Sequence, residues 1–506
     1  MNCQILPNYV FIKILNYLAR RANQRKIYFK LIEKVSLVSK EWRYKILPKL
    51  RFTHLTCYLP HGMKILEIQS LVDRGVFILP IRISLSAEIT SESLSLKTLQ
   101  LPNDFIASTV VATISFENLT DKTSQQVHNE ILGKFKKITT MDIVNFNSTF
   151  HHLTPNFFDG IRKLELSSCN ILIETIVDIV ERTKGESLLL RSTPTYNIGI
   201  KNEYLMDSIY KYCEGNQTLK SLSVYNFHWK GSNSAAISLI HNNSTLTELN
   251  LTNLCGDMPS DVKINNRMIK RFYYESSRIK DFLRLWDSPS ALEYTSLGTL
   301  LPDDIPLIRN NFKSLSSVVI SGSTSIELII DLILLNNPIE KFHIDVGTKL
   351  YANELVKALQ FNNNLTELYI SNILPLDALS QFLNSQHPTI RSLRTTLVSS
   401  TLIQVKGLLL DHKILEKLAF VFSVTRDTKP TEIINTITEI IKHNHKLISF
   451  DCQYFDTQLQ GSQLNQIIQL IDLINLNPNL LRFSIFQNNN IPKVLQTFLT
   501  NKLIDF

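Results

Sequence analysis

The chain has 506 residues, 44% of them hydrophobic, and carries a formal net charge of +8. Its most apolar stretch, Ile326–Leu335, contains Glu327 and Asp331 and is shorter than the roughly 18 apolar residues that indicate a membrane helix, so no membrane span is expected. The six cysteines are scattered without a Cys-x-x-Cys pair and no secretory leader is recognised, so we expect free thiols in a cytoplasmic or nuclear protein.

Residues 1–51 carry a strong net positive charge. They contain seven Lys and five Arg against Glu33 and Glu41, a net charge of +10, so the remaining residues sum to about −2. A patch of one sign attracts nucleic acid, anionic lipid or an acidic protein. The segment also has two apolar stripes at helical spacing, which predict two amphipathic helices. These stripes are Val10, Phe11, Ile14, Leu15 and Leu18, then Ile32, Val35, Val38 and Trp42.

This N-terminal segment resembles the F-box, a short helical domain that docks on the Skp-type adaptor of SCF ubiquitin ligases. The matching residues are Leu6-Pro7, Ile14-Leu15, Tyr17-Leu18 and the run Val35–Trp42, which closes on Val-Ser-x-x-Trp. The segment departs from the family between Leu18 and Trp42, where the chain is longer than usual and rich in Arg and Lys. The resemblance implies that the adaptor-binding residues are Leu6, Pro7, Ile14, Leu15, Leu18, Val38 and Trp42, shared between the module's own core and the adaptor groove.

Two other interpretations of residues 1–51 stay open. The helices could cap the apolar face of the first repeat that follows, as repeat proteins require. A basic arm for nucleic acid or a membrane fits less well, because regular apolar stripes run through the segment.

A repeated pattern follows the N-terminal segment. The stretches HNNSTLTELNLTNL (241–254) and FNNNLTELYISNI (361–373) share the spacing L-x-x-L-x-L-x-x-L. Further copies separate them at steps of 23 to 26 residues, and others extend the series from Ile138 to Leu480, with a doubtful one at Val111. We therefore assign residues 138–506 to a repeat solenoid and residues 52–137 to its irregular start.

Each repeat is expected to contain a strand, a loop, a helix and an Asn-rich turn. The last two leucines of the pattern alternate with polar residues, as on one face of a strand. Segments such as NELVKALQF (353–361) and EIINTITEIIKH (432–443) have helical periodicity. Asn or Pro follows many of them, and we expect Asn to close the helix in the left-handed conformation.

The pattern resembles the leucine-rich repeat of the ribonuclease-inhibitor type. The ninth position, usually Asn or Cys in that family, is Cys169 in one repeat and Asn488 in another. It departs from the family in the other repeats, where it is Phe227, Leu254, Ser323, Ile373 and Ser423. The resemblance implies an α/β fold class: a leucine-rich-repeat solenoid with parallel strands on the concave face and helices on the convex face, preceded by a small all-α F-box-like module.

The strand positions between the leucines are candidates for binding, because the resemblance places them on the concave face. The candidate client-binding residues are Tyr225, Asn250, Tyr273, His343, Asp345, Tyr369, Arg394 and Asp451. They mix aromatic, basic and acidic side chains, which favours a protein partner over nucleic acid.

Catalytic motifs are missing from the sequence. It lacks the Gly-rich phosphate loops, the Gly-x-Ser-x-Gly nucleophile elbow and the His-Glu-x-x-His zinc motif, and His443-x-His445 has no third ligand nearby in sequence. We expect no enzyme activity, metal, cofactor or small-molecule substrate.

The leading hypothesis is a substrate receptor of an SCF-type ubiquitin ligase that binds a Skp-type adaptor, its cullin ligase and an unknown client protein. The alternative is a leucine-rich-repeat scaffold or a small-GTPase regulator with an N-terminal helical cap.

Overall fold

The computed structural model describes the parts of the chain that carry the repeats. These are residues 40, 56–59, 82–88, 110–117, 138–145, 158, 160–169, 173–191, 206–225, 230–259, 262–274, 279–286, 290–335, 338–346, 352–422, 428–455, 465–470, 473, 480 and 482–486. The F-box-like module and its seven adaptor-binding positions lie outside the described residues. The chain divides into two compact units, Met1–Ser260 and Asp261–Phe506.

The first unit contains a sheet in which every described strand runs parallel to the next. Its strands are β1 (Thr56–Leu59), β2 (Arg82–Glu88), β3 (Val110–Glu117), β4 (Thr140–Val144), β5 (Lys163–Ser167), β6 (Ser187–Arg191), β7 (Ser221–Tyr225) and β9 (Glu248–Leu251). Helices α1 (Ile173–Thr183), α2 (Met206–Gly215) and α3 (Asn233–Asn242) connect its later strands. The short strands β8 (Gly231–Ser232) and β10 (Leu254–Cys255) pair separately.

The second unit repeats this plan with closer regularity. Its parallel strands are β11 (Arg271–Tyr274), β12 (Tyr294–Gly298), β13 (Ser317–Gly322), β14 (Lys341–Val346), β15 (Glu367–Ile373), β16 (Ser392–Leu397), β17 (Lys417–Phe422), β18 (Ser449–Phe455) and β19 (Arg482–Phe486). The helices between them are α4 (Ile279–Leu285), α5 (Asp304–Asn311), α6 (Ile326–Leu334), α7 (Ala352–Leu359), α8 (Leu376–Ser385), α9 (Ser399–Leu410) and α10 (Pro430–His443).

Strands and helices form two layers in the second unit. Each helix from α5 to α9 packs against the next helix along the chain, while each strand pairs with the next strand. All these helices therefore lie on one side of the sheet. The predicted α/β arrangement, in which parallel strands alternate with helices, is confirmed.

The repeated apolar positions form the core between the two layers. Phe342, Leu368, Leu393, Leu418 and Phe450 are directly paired across five neighbouring strands, and each is no more than 3% exposed. Burying one such side chain contributes roughly 1.5–3 kcal/mol, so the L-x-x-L-x-L pattern fixes which face of every strand meets the helices.

Most strands from β7 to β18 follow a turn built on a buried polar side chain. In the turn before β9, Asn243 Oδ1 accepts the backbone N–H groups of Thr245 and Leu246 at 2.8 and 2.7 Å. Asn243 Nδ2 donates to the Cys213 carbonyl oxygen of the preceding repeat at 2.7 Å. The same position, three residues before the first apolar residue of the pattern, is occupied by Asn216, Asn266, Asn362, His387, His412 and Asn444. Before β12, Ser290 accepts from the Leu292 N–H group two residues later.

These turns correct one expectation from the sequence. Asn243 and Asn444, which end α3 and α10, have φ of −75° and −85° and are not left-handed. Asn recurs there because its amide group both accepts from its own turn and donates to the neighbouring repeat.

Candidate functional site

The side of strands β13 to β17 that faces away from the helices is called the open face here. Alternation along each strand determines its composition: on β14, Phe342 and Ile344 are buried, whereas Lys341 and Asp345 are exposed and His343 is half-buried. The strands pair in register, so open-face residues line up in rows across the sheet. The first row contains Ser317, Lys341, Glu367, Ser392 and Lys417, and the central row contains Val319, His343, Tyr369, Arg394 and Ala419.

Three members of the central row form a stack. The rings of His343 and Tyr369 lie 3.9 Å apart between centroids, at an interplanar angle of 23°. The Arg394 guanidinium lies over the Tyr369 ring, with its Cζ 4.7 Å from the centroid. Adjacent strands are about 4.8 Å apart, so residues paired in register bring planar groups to stacking distance. The stack is therefore built into the register of β14, β15 and β16.

The environment of His343 favours the neutral imidazole. Burial lowers the pKa of His343, the Asp345 carboxylate opposes this shift, and the Arg394 charge reinforces it. The His343 Nε2 atom is buried and has no hydrogen-bond partner among the described residues. Asp345 accepts a hydrogen bond from Ser371 Oγ at 2.6 Å, which holds the carboxylate beside the stack.

The lysines of the first row form ion pairs with a carboxylate, whereas Arg394 of the central row does not. Lys341 Nζ lies 3.2 Å from Glu367 Oε1, and Lys417 Nζ lies 4.0 Å from the same oxygen. Arg391, just before β16, pairs with Glu416 at 2.9 Å. Arg394 is exposed, and no carboxylate of the described residues lies within ion-pair distance of it.

A groove of about 220 Å³ runs between the two rows, across β13 to β16. One wall is the His343–Tyr369–Arg394 stack, and the other is formed by Ser317, Lys341, Glu367 and Ser392. Its floor is the strand segment that carries Val318, Phe342 and Leu368, whose side chains are buried. The groove thus offers aromatic, cationic and hydroxyl groups around a backbone floor.

The eight client-binding residues predicted from the sequence do not form one cluster. His343, Asp345, Tyr369 and Arg394 lie together, and Asp451 is two strands beyond Arg394 in the same row. The other three are elsewhere on the sheets: Tyr273 on β11, and Tyr225 and Asn250 on β7 and β9 of the first unit.

The two predicted residues of the first unit differ in exposure. Tyr225 is 37% exposed and lies 5.9 Å from the Arg191 guanidinium. Asn250 is only 8% exposed, which leaves it little surface to offer a partner. Arg191 also forms an ion pair with Glu165 at 3.3 Å, so the positive charge beside Tyr225 is already neutralised.

Some residues that line the groove are absent from the client-binding residues predicted above, although the strand pattern places them on the same face. Ser317 and Ser392 each stand immediately before a buried apolar residue of the repeat, at the start of a strand. Their place in the pattern was therefore visible in the sequence, but short or common polar side chains gave no reason to single them out.

Comparisons with known proteins add no further identification. A scan against protein-family models finds no match, and a search of curated proteins finds no significant similarity. Among the described residues, no helix has the length and apolarity needed to cross a membrane. Within that same part of the chain, no three His, Cys, Asp or Glu side chains converge as a metal site would require.

Proposed function

We propose that this chain is a non-catalytic binding protein that holds a client protein on the open face of β13 to β17. The observation that carries the proposal is the preassembled stack of His343, Tyr369 and Arg394 beside the groove. Tyr and Arg supply a large share of binding energy at protein interfaces. Because packing already holds these side chains, a client loses little of its binding energy to ordering them.

A selection of random displayed peptides on the full-length chain tests this proposal. We expect enriched peptides to lose at least about tenfold in affinity on Tyr369→Ala, since truncating an interface aromatic removes contact area and unfixes Arg394. Phe361→Ala is the matched control, because Phe361 is 69% exposed in the turn after α7, outside the open face. Peptides that bind the Tyr369→Ala variant as well as wild type would place binding elsewhere and refute the proposal.

The fuller form of the proposal is a substrate receptor of an SCF-type ubiquitin ligase. Its support comes from the sequence: the F-box resemblance of residues 1–51, and a charge of +10 in that segment. Positive charge would speed association with the acidic surface expected of a Skp-type adaptor. In this form residues 1–51 dock the adaptor, and the open face presents the client to the ligase.

Co-purification with a Skp-type adaptor tests the fuller form. We expect the wild-type chain to capture the adaptor, and the triple change Leu6→Ala, Pro7→Ala and Leu15→Ala to abolish capture with an unchanged circular dichroism spectrum. The Tyr369→Ala chain serves as the control and is expected to capture the adaptor normally. Failure of the wild-type chain to bind would remove the ligase from the proposal and favour a scaffold with an N-terminal cap.

A further inference from the structure

Arg394 differs from the other cations of the groove and its rim in how its charge is balanced. Lys341 and Lys417 share Glu367, and Arg391 pairs with Glu416. Arg394 makes no ion pair with any described residue, although it is exposed and stands in the wall of the groove. A guanidinium that is fixed yet unpaired keeps its N–H donors available for an incoming group.

Stacking on Tyr369 also prepares Arg394 to bind. The contact at 4.7 Å holds the guanidinium against the ring face, which reduces the rotamer entropy lost when a ligand arrives. A planar guanidinium presents parallel N–H groups that match the two oxygens of a carboxylate. Ser392, on the same strand, lines the groove and adds a hydroxyl group to it.

The charges around the groove select the kind of anion. Two cations that line the groove, Lys341 and Arg394, are opposed by one lining carboxylate, Glu367, which leaves one uncompensated positive charge. A single negative charge neutralises this site. A phosphate, which carries close to two negative charges at pH 7, would leave excess negative charge beside Glu367 and Asp345.

We propose that the groove recognises a single carboxylate of the client peptide and that Arg394 receives it. This inference rests on the proposed function, because it requires the open face to be the client site. The carboxylate belongs either to an Asp or Glu side chain or to the C-terminus of the client. The stacked rings of His343 and Tyr369 then face the residues next to the carboxylate along the groove.

Peptides enriched on the full-length chain provide the probe. We expect Asp or Glu at a fixed position, or a required free C-terminus, and versions of each peptide with Gln for Glu or with an amidated C-terminus tell the two sources apart. Removing the carboxylate, or changing Arg394→Gln, should each weaken binding about 10- to 100-fold, as for a hydrogen-bonded charge. Combining the two changes should add little, because both remove the same interaction.

The matched control is Arg391→Gln, which removes an arginine three residues away that is already paired with Glu416. It should leave peptide affinity unchanged, and thermal melting should show that both variants are folded. Two results would overturn the carboxylate inference alone: binding that needs Tyr369 but survives Arg394→Gln, or a phosphoserine peptide that binds more than tenfold tighter than its Glu counterpart. Failure of every peptide to bind would count against the open face itself and so against both proposals.

Discussion

Two histidines occupy turn positions where other repeats carry asparagine. Nδ1 of His387 and of His412 each accepts two backbone N–H groups, at 3.2 to 3.3 Å. His387 Nε2 lies 2.8 Å from the Leu359 carbonyl oxygen of the preceding repeat, whereas His412 Nε2 is buried without a hydrogen-bond partner among the described residues. Accepting at Nδ1 requires the neutral ring with its proton on Nε2.

Because His412 must stay neutral, we predict that it makes folding sensitive to acid. Burial lowers the pKa of His412 below the value near 6.5 of an unfolded chain, so the unfolded state binds the proton more readily. The contribution of neutral His412 to the free energy of unfolding should be fully present above about pH 6.5. It should decrease as the pH drops from there toward the folded-state pKa. His343, whose pKa is also lowered, contributes in the same direction.

Urea unfolding at about pH 8 and pH 5 measures this effect in wild type and His412→Asn. Asn keeps the acceptor for the two N–H groups, as Asn444 does one repeat later, and removes the titrating ring. The variant should therefore lose less stability on acidification than wild type. Equal losses in the two proteins would show that His412 does not contribute to the pH dependence.

The residues of the candidate site were partly predictable from the sequence. The repeat spacing and the alternation along each strand place His343, Tyr369 and Arg394 on one face and in one row. The stack itself was not predictable, because it depends on side-chain torsions and on which strands pair without a bulge. At β15, the register shifts between Ile370 and Ile373, and no feature of the sequence announces that irregularity.

At the scale of the element, the turn between α3 and β9 depends on one side chain. Asn243 is 1% exposed, and its amide group satisfies two N–H groups of the turn and the carbonyl oxygens of Cys213 and Asn216. An alanine there would remove the acceptor of the Thr245 and Leu246 N–H groups, whereas the carbonyl oxygens of Cys213 and Asn216 would keep the Asn216 N–H and the Thr245 hydroxyl as donors. Since a buried unsatisfied group costs about 1–3 kcal/mol, we predict that Asn243→Ala lowers the free energy of unfolding by about 3 kcal/mol.

The neighbouring Asn242 provides the control for this prediction. It is exposed and bonds Glu214 and Ser238 on the helix surface, so Asn242→Ala should change the free energy by less than about 0.5 kcal/mol. Denaturant unfolding of the two variants measures the difference. Equal effects of the two changes would mean that the turn network contributes no more than a surface contact.

Elements were predictable wherever the repeat kept its apolar positions. The pattern does not predict strand β6, because Gly185 stands where other repeats have Leu or Ile, although Leu188 and Leu190 are buried as the pattern requires. The doubtful copy at Val111 does form a strand, β3. Loops were less predictable: Cys169 at the ninth position donates to the Ile143 carbonyl oxygen, but in another repeat Thr252, two positions earlier, provides the equivalent bond to Val224.

At the scale of the molecule, the repeat fold and the proposed role of residues 1–51 rest on different kinds of observation. The alternation of parallel strands and helices follows from apolar periodicity and is seen in both units. The proposed F-box-like role of residues 1–51 is supported by a resemblance and by charge, and the seven positions predicted to bind an adaptor lie outside the described residues. The repeat fold could be predicted because its apolar pattern recurs many times along the chain. The F-box-like role depends on a single copy of a short motif.

Repetition also determines how far the effect of one destabilising substitution should extend through the second unit. Asn362 joins neighbouring repeats: its Nδ2 donates to the Ile333 carbonyl oxygen at the end of α6, and its Oδ1 accepts from Asn364 and Leu365 before β15. In a stack of repeats each repeat contacts mainly its neighbours, so stability is a sum of local and nearest-neighbour contributions.

We therefore predict that Asn362→Ala increases amide hydrogen exchange most in β14, β15 and α7. The loss of protection there should be worth about 3 kcal/mol and should decrease toward β18 and α10. Asn363→Ala, an exposed change in the same turn, should leave exchange unchanged, and a uniform loss of protection across Asp261–Phe506 would instead show that the unit unfolds as one cooperative block.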